Sequence, residues 1–336
     1  MDIREFAKRL GVSTTTVSHA LNGKRPVKAA TKQLILEKMN EWGYVPNTNA
    51  RRLVSSKTNL IAFFSDSGDT LADPYQLEVT RNFCRLLRER GYDLLLDLCH
   101  TGENDRYASL RNRVMAHSID GSIIIAGSLT EKDFETLAAP YAPCVYIDTR
   151  GLGRMKNAVS ISVNCEPAYT EVFRCLKQTG RRRLAFLARH DEDPFYHFWR
   201  DALPGHGFQF HPDFCAFTEE DTEQARDAAL RMLLASPRPD AIIARTDAQA
   251  QGVLRATQQL GLHVPQDLAI VSHGDVFYSR GSEPPLATVS FDYKKLGAMA
   301  VGTLFEMIEH PDSIPEPVVF TEQFFPRGSI ITAGRS

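Results

Sequence analysis

The apolar positions of this chain change rhythm near residue 58. Ahead of it they recur at helical spacing. Ile3, Phe6, Ala7 and Leu10 form one stripe, Val17, Ala20 and Leu21 a second, and Leu34, Ile35 and Met39 a third. Three short helices sharing a small core are therefore expected, the last over Ala29–Trp42. Beyond residue 58, short apolar runs alternate with amphipathic stretches. Strands are expected over Leu60–Ser65, Tyr92–Cys99, Gly121–Ala126, Cys144–Asp148, Val159–Val163, Leu184–Ala188, Ala241–Ala244 and Leu268–Ser272. Helices are expected over Gln76–Arg90, Asp105–Ala116, Pro167–Gln178, Glu223–Ala235 and Ala248–Leu260. Strand followed by helix, repeated, is the pattern of parallel sheets covered on both faces. This much of it implies two sheets with a cleft between them.

The second stripe lies in GVSTTTVSHALNG, Gly11 to Gly23, where four hydroxyl residues open a helix. Ser13 is a good N-cap, since its hydroxyl can accept from a free backbone N–H of the first turn. Thr14, Thr15, Ser18, His19 and Asn22 then fall on the face opposite Val17, Ala20 and Leu21. Such a face either solvates a surface helix or meets a partner, and the charge distribution favours the partner. Residues 1–60 carry 11 Lys and Arg against 4 Asp and Glu, a net of +7, whereas the remaining residues carry a net of −9. A basic head on an acidic body points the head at a polyanion, and helix, tight turn, helix is a DNA-reading motif.

Between head and body stands GYVPNTNARRLVSSKT, Gly43 to Thr58. Pro46 stops the third helix and Asn47 can cap a short new one carrying Ala50, Arg51, Arg52 and Leu53. Alone in water so short a helix is marginal. It is either a flexible tether or a segment that folds on DNA with Leu53 wedged into a minor groove.

Several classes are disfavoured. No apolar run approaches the roughly 18 to 20 residues that span a bilayer, and MDIREFAKRL lacks the apolar region of a signal peptide. The six cysteines, at 84, 99, 144, 165, 175 and 215, are scattered without a C-x-x-C pair, as expected of buried thiols in a reducing cytoplasm. Lys156 stands where a third glycine of a dinucleotide fingerprint would follow Gly151 and Gly153, and no phosphate-binding or nucleophile-elbow motif occurs. His190, His197, His206 and His211 lie near Asp191, Glu192 and Asp193, but no spacing matches a metal site. No enzyme, cofactor or metal is expected.

The motifs together resemble the LacI family of transcriptional repressors over nearly the whole chain. VSTTTVSHALNG matches the recognition helix, and it is similar to that of the purine repressor, a member of the family. GYVPN-x-x-AR-x-L matches the hinge. GRRRLAFL, DAIIARTDAQAQGVLRA, LGLHVPQDLAIVSHGD and PPLATVSFDYKKLGAMAV match the core. The resemblance implies an all-α helix-turn-helix head (1–45), a hinge helix (46–57) and an α/β core (58–336). That core comprises two doubly wound parallel-sheet subdomains of periplasmic-binding-protein type, about 58–160 with 291–320 and about 161–290 with the C-terminal segment. It also implies a cytoplasmic homodimer that binds a double-stranded, palindromic DNA operator and a small-molecule effector, without a membrane. Thr14, Thr15 and His19 would face base edges, where methyl, hydroxyl and imidazole groups can read thymine and guanine. Ser13 and Asn22 would hold phosphates, with Ser18 on the same face, and Leu53 would intercalate beside Ala50 and Arg51.

The core departs from the family pattern at its sugar anchors. Phe195 stands for an arginine, Thr246 for the asparagine of A-N-D, and Gly274 for an aspartate. A monosaccharide held in the family manner is therefore not expected, because buried polar groups left unpaired cost about 1 to 3 kcal/mol. Tyr75, Asp148, Phe195, Trp199, Thr246, His273 and Tyr293 remain as the expected effector-binding set, suited to an aromatic or carbohydrate-derived ligand. Alternatively Phe195 and Trp199 fill core space. Asp247 and Asp275 are expected to cap local structure. Control by a protein partner, or a small-molecule-binding α/β protein with an incidental basic head, are the competing functions.

Overall fold

The computed structural model describes residues 1–22, 25–45, 57–65, 74–98, 108–125, 142–148, 153–191, 193–218 and 221–330. Contacts divide the chain into two units, 1–59 and 60–336.

The first unit is built on α1 (Ile3–Leu10), α2 (Thr14–Asn22) and α3 (Ala29–Trp42). Asp2 opens α1 by accepting the Arg4 and Glu5 N–H groups, each at 2.8 Å. Gly11 ends it in the left-handed region, φ 75°, where a residue without Cβ is unstrained. Phe6, Ala7, Val17, Ala20, Ile35 and Tyr44 form the core, and the Phe6 ring stacks on Tyr44 with centroids 4.4 Å apart. One expectation fails here. Leu34 does not point inward but is 42% exposed. Ile35 and Met39, four apart, share the inner face, and Leu34 is rotated away from Ile35 by about 100° of helix turn.

In the second unit one sheet has the order β12-β6-β4-β3-β1-β2. Its strands are β1 (Leu60–Ser65), β2 (Asp93–Leu98), β3 (Gly121–Ile125), β4 (Cys144–Asp148), β6 (Ala158–Asn164) and β12 (Val318–Thr321), all parallel, while β5 (Arg154–Met155) pairs antiparallel with β6. Helices α4 (Pro74–Glu89) and α11 (Tyr293–Glu309) pack on one face, burying Phe63, Phe83, Leu87, Ile123, Val301 and Leu304. The other face packs Phe64, Ile124 and Tyr146 against Leu110 and Val114 of α5 (Ala108–Met115).

The second sheet has the order β13-β11-β10-β9-β7-β8. Parallel strands β7 (Leu184–Ala188), β8 (Cys215–Phe217), β9 (Ala241–Ala244), β10 (Ala269–His273) and β11 (Ala287–Ser290) are joined by the antiparallel β13 (Gln323–Phe325). Helices α6 (Glu166–Gln178) and α7 (Pro194–Ala202) cover one face, α8 (Thr222–Leu234) and α9 (Asp247–Gln259) the other. Gly252 permits the close approach of α8 and α9, since a Cβ there would sit 2.4 Å from the Thr222 carbonyl oxygen. The chain passes between the sheets at Cys165, at Phe291–Asp292 and at Glu322. The Glu322 N–H donates to the Asn164 carbonyl at 3.0 Å, tying the third crossing to the first.

Candidate functional sites in the head and the core

The hydroxyl-rich start of α2 divides its labour. Ser13 Oγ accepts the Thr16 N–H at 3.0 Å, and the two hydroxyls share a hydrogen bond of 2.9 Å. Ser13 is thus the cap, and Thr16 is drawn back against it. Thr14 and Thr15 are left exposed, and Ser18 and His19 are half-buried on the same helix, while Val17 and Ala20 face the core. The Asn22 side chain lies outside the described residues, as do Ala50, Arg51 and Leu53. Arg9 of α1 stacks over Trp42 of α3, 4.2 Å from the ring centroid. Two threonines, a serine and an imidazole on one face of a capped helix present both donors and acceptors, with methyl groups besides.

In the second sheet the expected residues gather at the carboxyl ends of β7, β9 and β10, the edge at which open α/β sheets bind ligands. His273 ends β10 and joins two of the inter-sheet crossings. Its Nδ1 lies 3.1 Å from the Tyr169 hydroxyl, on α6 just after the first crossing, and its Nε2 lies 2.9 Å from Glu322 Oε1 at the third. Burial raises the Tyr169 phenol well above its ordinary range, so Tyr169 keeps its proton. In the tautomer with its hydrogen on Nε2 the ring donates to the Glu322 carboxylate and accepts from Tyr169 at Nδ1. Next in the chain, the Gly274 carbonyl accepts from the Tyr293 and Ser290 hydroxyls beside the second crossing. The tip of β10 is therefore bonded to residues at all three crossings. Burial, with Glu322 nearby, pushes the Cys165 thiol up to about 12, so it stays protonated and unreactive at neutral pH.

The replaced anchors have local roles. The Thr246 hydroxyl accepts the Gln249 N–H at 3.2 Å in a capping box that starts α9. Gly274 has φ 136°, and a Cβ there would lie 2.7 Å from Asp247 Oδ2, so the neighbouring carboxylate excludes a side chain at this position. Asp247 accepts from the Ser272 hydroxyl and from the Val276 N–H at 2.9 Å. Burial raises its pKa, and these hydrogen bonds oppose the rise. Asp275 pairs with Arg327 at 2.7 Å.

Two of the expected effector contacts are corrected. Trp199 has no exposed surface and stacks on Phe186 with centroids 5.3 Å apart, so it belongs to the core and offers a ligand nothing. Phe195 is 8% exposed. The Arg245 guanidinium covers its ring, 3.9 Å from the centroid, and the edge-on His273 ring lies 4.8 Å away. Phe195 thus supports other groups and is not an open aromatic platform. The Tyr75 and Asp148 side chains lie outside the described residues. Sequence reasoning missed Arg245, Tyr169 and Glu322. Arg245 stood in the motif already singled out. Tyr169 and Glu322 carry no local signal, since they are 104 and 49 residues from their shared partner.

Comparison with known proteins agrees with this geometry. The profile "Bacterial regulatory proteins, lacI family" matches residues 2–47, and "Periplasmic binding protein-like domain" matches 173–330. The chain belongs to the LacI family. This LacI-family chain is 26% identical to catabolite control protein A of Priestia megaterium, over 90% of its length and 91% of the relative's. It is 28% identical to the ribose operon repressor of Escherichia coli (strain K12), over 97% and 99%, and to the HTH-type transcriptional repressor PurR of Pasteurella multocida (strain Pm70), over 91% of each. Its fold matches the lac repressor dimer bound to operator and the anti-inducer ONPF with a TM-score of 0.82 at 20% identity, over 99% of each chain. The chain is a DNA-binding transcriptional regulator.

Proposed function

We propose that this regulator is a repressor that binds a palindromic operator as a homodimer and responds to a small molecule held at the carboxyl ends of the second sheet. The observation that carries the reading is the exposed pair Thr14 and Thr15 beside Ser18 and His19, on a capped helix of a basic, LacI-type head. One such helix reads only a few base pairs, so two-fold pairing of subunits would match a two-fold operator. Relatives named as repressors, and a lac repressor dimer on its operator, support both parts. Following the family resemblance, Ala50, Arg51 and Leu53 reach the minor groove, and Leu53→Ala lowers both operator affinity and DNA bending. The chain performs no catalysis in this reading.

Selection of bound sites from a random duplex pool by the full-length protein tests the reading. A palindromic site is expected to be enriched, and sedimentation is expected to show two protein chains per site. Recovery of no common sequence would overturn it. So would a single chain bound to an asymmetric site.

A further inference from the structure

Four carboxylates at the ends of the second sheet are engaged within the protein, although Glu322 Oε2 and Asp275 Oδ1 make no hydrogen bond among the described residues. Asp193 caps α7 by accepting the Phe195 N–H at 2.9 Å, and Asp247, Asp275 and Glu322 hold Val276, Arg327 and His273 respectively. Arg245 differs. Its side chain is only 21% exposed, and its Nε is 3.6 Å from Asp193 Oδ2, beyond hydrogen-bond distance. That nitrogen is buried without a hydrogen-bond partner among the described residues. Among the described residues the guanidinium is met by this loose ion pair and by the apolar face of Phe195. The buried Nε has lost its hydration without a replacement from the described residues.

The position of Arg245 gives this a direction. It follows β9, and its N–H donates to the Leu187 carbonyl at 2.9 Å, which sets it beside the end of β7. Its charge lies directly over the ring of Phe195, the residue that stands where the family pattern has an arginine. A guanidinium is thus supplied to the same locality from a different strand. The unused hydrogen-bonding capacity of Arg245 itself is donor capacity, arranged as a planar fork whose natural complement is a carboxylate.

We infer that Arg245 anchors the effector, and that the effector is a small organic acid whose carboxylate accepts from the guanidinium. This rests on the reading of the core as effector-responsive. The ion pair with Asp193 orients the guanidinium from behind and the Phe195 ring supports it from below. A neutral sugar offers only uncharged oxygens and gains less from the same fork, because hydrogen bonds between ionised partners are about twice as strong as neutral ones.

The test uses the full-length protein and matched probes that differ in one group: glucuronate and glucose, galacturonate and galactose, benzoate and benzamide. Thermal melting and calorimetric titration are compared for wild type, Arg245→Met and Arg245→Lys. At least one acid is expected to raise the melting temperature above its neutral partner. Arg245→Met is expected to weaken that acid about ten- to hundredfold, and Arg245→Lys, which keeps the charge without the fork, to lose less. The lysine variant answers the question if the methionine variant does not fold. The inference is overturned if no acid surpasses its neutral partner, or if the preference for the acid survives unchanged in the variants. The same acids are then added to the operator complex. An acid that binds through Arg245 but leaves operator affinity unaltered would uphold the carboxylate site and sink the effector reading.

Discussion

The head and the strand ends of the second sheet both place short polar side chains at the starts of helices, and they use them in opposite ways. In the head, Ser13 and Thr16 satisfy the first turn of α2 between themselves, and Thr14 and Thr15 remain exposed. At the strand ends Asp193, Thr246 and Asp247 are drawn into the protein as caps and loop ties, and Arg245 Nε is buried with no hydrogen bond among the described residues. The head must present a surface to a large rigid partner, so its functional groups face out over a small core. The core must keep two sheets in register, so its polar groups face one another. The lesson is that similar residues at similar helix positions have roles set by what closes over them.

If the two regions are independent in this way, damage to one should spare the other, and the largest effect is expected in the head. Phe6→Ala removes a fully buried ring stacked on Tyr44. Such truncations cost about 3 to 5 kcal/mol, which is comparable to the roughly 3 to 5 kcal/mol that a core of this size supplies in total. Calorimetry should show loss of the head transition with the core transition in place, and operator binding should vanish. An equal fall in the core transition would break the comparison.

The mirror experiment is His273→Ala. It leaves the Glu322 carboxylate and the Tyr169 hydroxyl buried without their partner, and about 3 kcal/mol of core stability should be lost. Tyr169→Phe removes only one arm and should cost about 1 kcal/mol. Neither change should alter the head transition. If denaturant unfolding of the core is unmoved by His273→Ala, the β10 tip does not tie the crossings together. The smallest effect sharpens the contrast within the head itself. Ser13→Ala deletes the cap of α2 and should destabilise the head by about 1 kcal/mol, whereas Thr14→Ala, at an exposed position, should leave head stability nearly unchanged.

The same contrast explains how much could be read from the chain alone. α1, α2 and α3 declare themselves through i to i+3 and i to i+4 relations, and the Ser13 cap joins residues three apart. Parallel strands β1, β2, β3, β4, β6, β7, β9 and β10 are equally plain, because strands buried on both faces are continuous apolar runs, whereas the parallel β11 and β12 are not among the expected strands. The short antiparallel β13 and the edge strand β8 carry no such run. Tyr169, His273 and Glu322 meet only after the chain has crossed between sheets three times, and no spacing announces that. Trp199 and Phe195 were legible as large aromatics near the right place, but which side of α7 faces the sheet depends on Phe186, Tyr169 and Arg245, which come from elsewhere. Leu34 shows the limit even within one helix, since which of two adjacent apolar positions turns inward depends on where the neighbouring helices pack.

The central claim is that the outward face of α2 reads bases while the rest of the basic head supplies sequence-independent attraction. Binding of wild type, Thr15→Ala and His19→Ala to an operator and to every single base-pair variant of it tests this most directly, with Lys28→Ala as the charge control. The account predicts that Thr15→Ala and His19→Ala each flatten discrimination at particular positions by about 1 to 3 kcal/mol, whereas Lys28→Ala, if it meets phosphate, weakens all sequences alike and reduces the salt dependence. Uniform losses across every position for all three variants would contradict it.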